Sequence, residues 1–203
     1  MGKIDYKKTL KAFYGPSAKK VVEVDLPTMN FLMIDGKGNP GTSEEFAQAV
    51  EVLYPVCYTL KFMVKKGKAG IDYGVLPLEG LWWADDMSDF VSGNKDRWKW
   101  TLMIMQPDLV SREMVEQAIV QVREKKNPPG LSKLRFESFH EGRSAQTLHI
   151  GSFDEEGPTI IRVHQFIEEA GYRLSGKHHE IYLNDPRKTA PERLKTVIRQ
   201  PFS

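Results

Sequence analysis

Residues 29–66 read MNFLMIDGKGNPGTSEEFAQAVEVLYPVCYTLKFMVKK. Met29 to Ile34 is an apolar run of strand length, Gly36 to Gly41 breaks it, and helical spacing follows from Ser43 to Lys66. That change of period marks a strand, a turn and a helix in succession. Thr42, with Glu45 three residues on, predicts a capping box at the helix start. Pro55 predicts a kink or a split within the helix. Upstream, Val21 to Leu26 is a second apolar run, set off by the turn at Pro27-Thr28. Downstream, Tyr73 to Trp83 and Arg97 to Met105 read as strands, separated by the acidic loop Ala84 to Asp96.

The second half of the chain repeats that order. Leu134 and Phe136 alternate with Arg135 and Glu137 as a half-buried strand, and Gln146 to Phe153 is the next. Pro158 opens a helix with apolar positions at Ile160, Ile161, Val163, Phe166, Ile167 and Ala170, closed at Gly171. His179 to Leu183 and Leu194 to Phe202 end the chain as strands. A bridging helix runs from its N-cap Ser111 to Lys126 and stops at Pro128-Pro129-Gly130. The expected fold is α+β, with duplicated β-α-β-β modules, pseudo-two-fold symmetry and a central ligand cleft.

Composition narrows the function. The chain has 203 residues, 40% of them hydrophobic, which is enough for a sizeable core. With a net charge of +2 and lysine pairs scattered along the chain, there is no basic face for nucleic acid. Cys57 is the only cysteine, so no internal disulfide forms and a reducing compartment is expected. Met1 to Leu10 lacks the apolar core of a secretory signal, and no stretch is long and apolar enough to span a membrane. The expectation is a cytoplasmic protein that engages neither membrane nor nucleic acid.

Several motifs have plain readings. Gly36, Gly38 and Gly41 fit a dinucleotide loop, but Glu44 and Glu45 would repel a pyrophosphate and Pro40 lacks an amide donor. They read as a turn, and no cofactor is expected. The five histidines have no i, i+4 pairing with a carboxylate and no thiolate partner, so no metal site is expected. His178-His179 reads as the exposed start of a strand, and Cys57 as a buried, inert thiol.

The aromatic residues carry more. All four tryptophans, Trp82, Trp83, Trp98 and Trp100, fall on two consecutive predicted strands. Trp98 and Trp100 share a face by the two-residue strand period, and Tyr54 and Tyr58 lie one helical turn apart. They make either a packed aromatic core or the walls of a pocket for a flat apolar ligand. Glu180 shares a strand face with Tyr182, while Ile181 and Leu183 point the other way. That face is either solvated or the lining of the cleft, where desolvation would raise the carboxyl pKa and make an acid–base pair. Glu79, beside the tryptophans, has the same two readings.

The stretches Ile34-Asp-Gly-Lys-Gly38, Leu53-Tyr-Pro-Val-Cys-Tyr58, Pro77-Leu-Glu-Gly-Leu-Trp-Trp83, Glu180-Ile-Tyr-Leu-Asn-Asp-Pro186 and Lys195-Thr-Val-Ile-Arg-Gln-Pro201 resemble signatures of the GyrI-like small-molecule-binding family. The resemblance implies an extension over residues 1–17 and one domain over 18–203. Its two repeats would run roughly over 18–108 and 130–203, bridged by the helix over 111–127. About 20 residues precede the first strand, too few for a helix-turn-helix domain, so a stand-alone protein is implied. The tryptophan-rich segment and Glu180 resemble the branch that hydrolyses the cyclopropane ring of DNA-alkylating antibiotics with an aromatic cage, a detoxifying, drug-resistance activity. By that resemblance Glu180 is the catalytic pocket glutamate, and the cage that binds substrate falls on Trp82, Trp83, Trp98, Trp100, Tyr54 and Tyr58. From the residues themselves, a phenol such as Tyr182 or Tyr58 is the expected catalytic partner that hydrogen-bonds the conjugated carbonyl, and Glu79 is a further substrate-binding candidate. The alternatives are a protein that sequesters drugs without chemistry and, more weakly, a gyrase inhibitor acting on a protein partner.

Overall fold

Apolar residues leave water by pairing strands and covering them with helices, and this chain does so twice. The computed structural model describes residues 3–86 and 93–203. The first helices are α1 (Tyr6–Thr9) and α2 (Lys11–Tyr14), followed by β1 (Val22–Leu26), β2 (Met29–Lys37), α3 (Glu44–Lys66), β3 (Leu78–Trp83) and β4 (Lys99–Gln106). After α4 (Arg112–Lys125) come β5 (Arg135–Phe139), β6 (Gly142–Ile150), α5 (Gly157–Glu169), β7 (His178–Tyr182) and β8 (Lys195–Pro201). The loop expected over residues 84–96 includes positions 87–92, which lie outside the described residues.

The chain divides into two compact units. Unit 1 takes Met29–Leu76 and Trp82–Phe139, with the first few residues of the chain. In it β2 lies between β4 and β5 and is antiparallel to both. Unit 2 takes Lys7–Thr28, Pro77–Leu81 and His140–Ser203. There the strand order is β1-β6-β8-β7, with β3 next to β7. The units therefore interleave along the chain: β1 pairs in unit 2 and β5 in unit 1.

In unit 1 the helix start differs from the expectation. The Asn39 carbonyl accepts from the amides of both Thr42 and Ser43, which keeps Thr42 in the turn. Ser43 is the N-cap, its hydroxyl accepting from the Phe46 amide at 3.3 Å, so no Thr42–Glu45 box forms. Pro55 does not divide the helix: Glu44–Lys66 is one element of 23 residues. The buried side of α3, including Val52, Leu53, Val56 and Leu60, packs on β2 and β4. That packing outweighs the one backbone hydrogen bond proline removes. The strand expected from Tyr73 starts at Leu78; Tyr73 makes only an isolated bridge to Ile4.

Gly36 explains part of the glycine-rich turn. It lies opposite Trp100 in the β2–β4 ladder, and a Cβ there would stand 2.1 Å from the indole Cη2. The glycine leaves room for the ring, which is fully enclosed and meets Phe46 of α3 edge-on at 5.3 Å. Gly36→Ala should overpack this spot and cost about 1–3 kcal/mol. Urea unfolding reads this directly; a wild-type midpoint would show that the ring tolerates the methyl group.

Candidate functional site

The two faces of unit 2's sheet carry different chemistry, and β8 sorts them. Residues directly opposite in an antiparallel pair project to the same side. Glu180 lies opposite Ile198, and Tyr182 opposite Thr196. Ile198 belongs to the core cluster with Ala145, Val163 and Ile167, so Glu180 and Tyr182 share the face on which α5 packs. His179 lies opposite Arg199, on the other face.

On the α5 face Glu180 is the hub. The Tyr182 hydroxyl donates to its Oε2 at 2.7 Å, and His178 Nε2 lies 3.1 Å from Oε1. Burial alone pushes the Glu180 carboxyl up, but hydrogen bonds from His178, Tyr182 and Glu156 outweigh it and hold it below the usual carboxylate range. This corrects the expectation of a raised value: the donors supplied by its neighbours stabilise the anion more than desolvation penalises it. Glu180 is an ionised, pre-oriented carboxylate. The Phe153 ring stands edge-on to Tyr182 at 5.7 Å.

The other face holds a buried ion network that sequence reading missed. His178 and His179 are not an exposed strand start: they are 5% and 1% exposed. His179 Nδ1 lies 2.8 Å from Glu141 Oε1, and its Nε2 lies 3.0 Å from Glu79 Oε2. A neutral imidazole has one N–H, so donating to both carboxylates requires the imidazolium. Burial alone would lower the His179 pKa, but Glu141 and the hydrogen bond to Glu79 outweigh it and raise it. Arg199 donates to Glu141 Oε2 at 2.9 Å, Gln146 Oε1 at 3.0 Å and the Phe13 carbonyl at 2.7 Å. Burial works against the Glu141 charge too, yet His179 and Arg199 bring its pKa down to about 2. Glu79, expected on the ligand side, has both oxygens engaged, by His179 and by the Tyr14 hydroxyl at 2.7 Å.

In unit 1 the rings separate into two groups. Trp82 stacks with Phe46 at 6.1 Å and meets Trp98 edge-on at 5.9 Å. Trp100 and Trp82 are buried, while Trp83 and Trp98 are partly exposed. Tyr54 and Tyr58 stack on each other at 6.5 Å and line a groove of about 340 Å³ with Pro55, Thr59, Val122, Lys125 and Lys126. Cys57 is buried as expected, and burial pushes its thiol up to about 12. Among the described residues, no group of three or more His, Cys, Asp or Glu side chains could hold a metal ion. No helix there is long and apolar enough to cross a membrane.

Residues 19–202 match the GyrI-like small molecule binding domain. The chain belongs to that family. This GyrI-like chain is 43% identical to an uncharacterized conserved protein from Listeria innocua, covering 99% of this chain and 100% of that one at a TM-score of 0.88. It is 42% identical to a hydrolase encoded by lin2189 from Listeria innocua, covering both chains completely at a TM-score of 0.86. The EcmrR C-terminal domain, at 12% identity over 91% of this chain and 97% of that one, shares the fold with a TM-score of 0.57. No curated protein matches the chain.

The network sets a pH dependence. Because the His179 pKa is raised on folding, its contribution is full below about 6.5 and is lost as pH rises through the folded value. Glu141, being lowered, contributes above about 4.3, and that part is lost as pH falls through its folded value. His179→Gln should cost about 3–5 kcal/mol at pH 6. The gap to wild type should shrink at alkaline pH in denaturant titrations; a pH-independent gap would mean that His179 is neutral.

Proposed function

We propose that this protein hydrolyses the cyclopropane ring of flat, apolar, DNA-alkylating toxins in the cytoplasm, with Glu180 as the general base. The observation that carries the reading is the ionised Glu180 carboxylate, already oriented by His178 and Tyr182 on one sheet face. The 42% identity over the full chain to a Listeria innocua hydrolase supports a hydrolytic reaction. Glu180 orients a water and accepts its proton as the oxygen attacks the strained ring. A carboxylate with a depressed pKa is a modest base, and the ring strain of the substrate supplies the remaining drive. In this reading Tyr182 orients the base, since its hydroxyl is directed at Glu180.

The partly exposed Trp98 and Trp83, backed by Trp82 and Trp100, offer stacking surfaces for a planar ligand. Tyr54 and Tyr58 offer a further ring pair in their own groove. We also read the fold as two duplicated β-α-β-β modules. In support, β2 is flanked by β4 and β5 as β6 is by β8 and β1, and each central strand leads into the helix packed on its sheet. Sequestration without chemistry is the second reading, favoured by the small-molecule-binding character of the family.

Mass spectrometry of a cyclopropane-bearing alkylator separates the two, since the enzyme adds one water and a sequestering protein returns the ligand unchanged. Glu180→Gln should lower turnover about 100-fold or more while the dissociation constant moves less than about tenfold. Wild-type turnover in that variant would rule Glu180 out as the base. Planar apolar ligands should quench tryptophan fluorescence, and Trp98→Ala should weaken binding about 5- to 150-fold. Unchanged affinity in Trp98→Ala and Trp83→Ala would place the stacking surface elsewhere.

A further inference from the structure

The sheet of unit 1 occupies only one side of α3. The buried stripe of the helix runs through Val52, Val56 and Leu60, and the helix packs on β2, β4 and α4. Tyr54 and Tyr58, one turn apart, belong to a different stripe. Their rings stack at 6.5 Å with 30° between the planes, and Tyr58 is 48% exposed although its ring is large and mostly apolar. With Pro55 and Thr59 of α3 and Val122 of α4 they line the groove of about 340 Å³. That volume lies at the small end of the range for small-molecule sites, enough for about one or two fused rings.

The remaining lining of the groove is cationic. At the end of α4 the amides of Lys126 and Asn127 both donate to the Val122 carbonyl, at 2.9 and 3.2 Å. Asn127 is left-handed, with φ of 38°, and Pro128 follows it. This closure fixes the backbone that carries Lys125 and Lys126, the last two residues of the lining. Other lysines of the unit are paired with carboxylates: Lys61 and Lys65 with Asp72, and Lys133 with Glu45. Lys125 and Lys126 make no ion pair among the described residues, and no carboxylate lines the groove. The dipole of α4 accounts for cations in its last turn, but not for the rings they border.

We propose that this groove is a second small-molecule site, which takes planar aromatic anions such as arene carboxylates. Tyr54 and Tyr58 stack on the arene, and Lys125 and Lys126 hold its charge. A lysine ammonium is a point charge on a flexible stem, so the pair reads the sign of the ligand's charge rather than the shape of the acid group. The sign is the opposite of the one that the Glu180 carboxylate favours. The groove shares no residue with Glu180, His178 and Tyr182 of unit 2, so the site stands whether or not the protein hydrolyses a substrate.

Calorimetric titration with naphthoate and with its neutral counterpart naphthamide tests the site. Wild type should bind naphthoate about 2- to 30-fold more tightly than naphthamide. The double variant Lys125→Gln, Lys126→Gln should lose that preference while its affinity for naphthamide stays at the wild-type value. Tyr58→Ala, at an exposed position, should weaken both ligands about 5- to 150-fold. Absence of saturable naphthoate binding at millimolar ligand overturns the site. Equal affinity for the two ligands in wild type, or a preference that survives in the lysine variant, overturns the role of the two cations. Wild-type affinity in Tyr58→Ala places the ligand outside the groove. A dimer in sedimentation that Tyr58→Ala dissociates assigns the groove to a second copy of the chain, and that too overturns the proposal.

Discussion

The guanidinium of Arg199 lies in the middle of β8, 1% exposed, and a charge so placed requires partners at every donor. Glu141, Gln146 and the Phe13 carbonyl answer it directly, and His179, Glu79 and Tyr14 complete the balance. With Arg199 and His179 positive and Glu141 and Glu79 negative, the buried set is neutral. Replacing one member leaves a charge without water or counterion, so β6, β7, β8, the start of β3 and the segment before β1 are mutually constrained. That segment is more than an appendage: Ala12 and Ser17 carbonyls accept from Gln146 and Thr147 of β6, and Tyr14 is buried.

The same constraint orients the Glu180 carboxylate on the opposite face. His179 and Glu180 are neighbours on β7, and a strand sends neighbours to opposite sides. Pinning His179 between two carboxylates on one face fixes the register in which Glu180 and Tyr182 meet α5 and the turn before it. A one-residue slip would exchange the faces and place the imidazolium among Ile198, Val163 and Ile167. The ion network and the carboxylate site are two consequences of one register, and their separation by the sheet keeps Glu79 and Glu180 in different hydrogen-bond systems.

Unit 1 is organised by size rather than charge. Gly36 admits the Trp100 ring against β2, and Phe46, in the first turn of α3, covers it. The local geometry of the strand, the turn and the helix start all converge on that ring. Arg135 of β5 binds Asp35 of β2 through two hydrogen bonds at 2.7 and 3.0 Å, which ties the third strand to the same end of β2.

Most of the elements were legible in the sequence because they rest on local patterns. Apolar runs bounded by Gly and Pro marked the strands, Ser111 and Pro158 marked helix starts, and the two-residue strand period put Glu180 and Tyr182 on one face. Three readings failed for want of long-range information. Pro55 reads as a kink or a split, and the split does not occur because packing on β2 and β4 carries α3 through it. The Glu180 pKa was expected to rise because burial is readable from an apolar neighbourhood, whereas the donors that reverse it depend on where side chains point. His178 and His179 looked exposed because the carboxylates that justify burying His179 lie 38 and 100 residues away in sequence. Periodicity within one segment determines which residues share a face. Which face meets which partner is a matter of register between distant strands, and only the tertiary structure decides it.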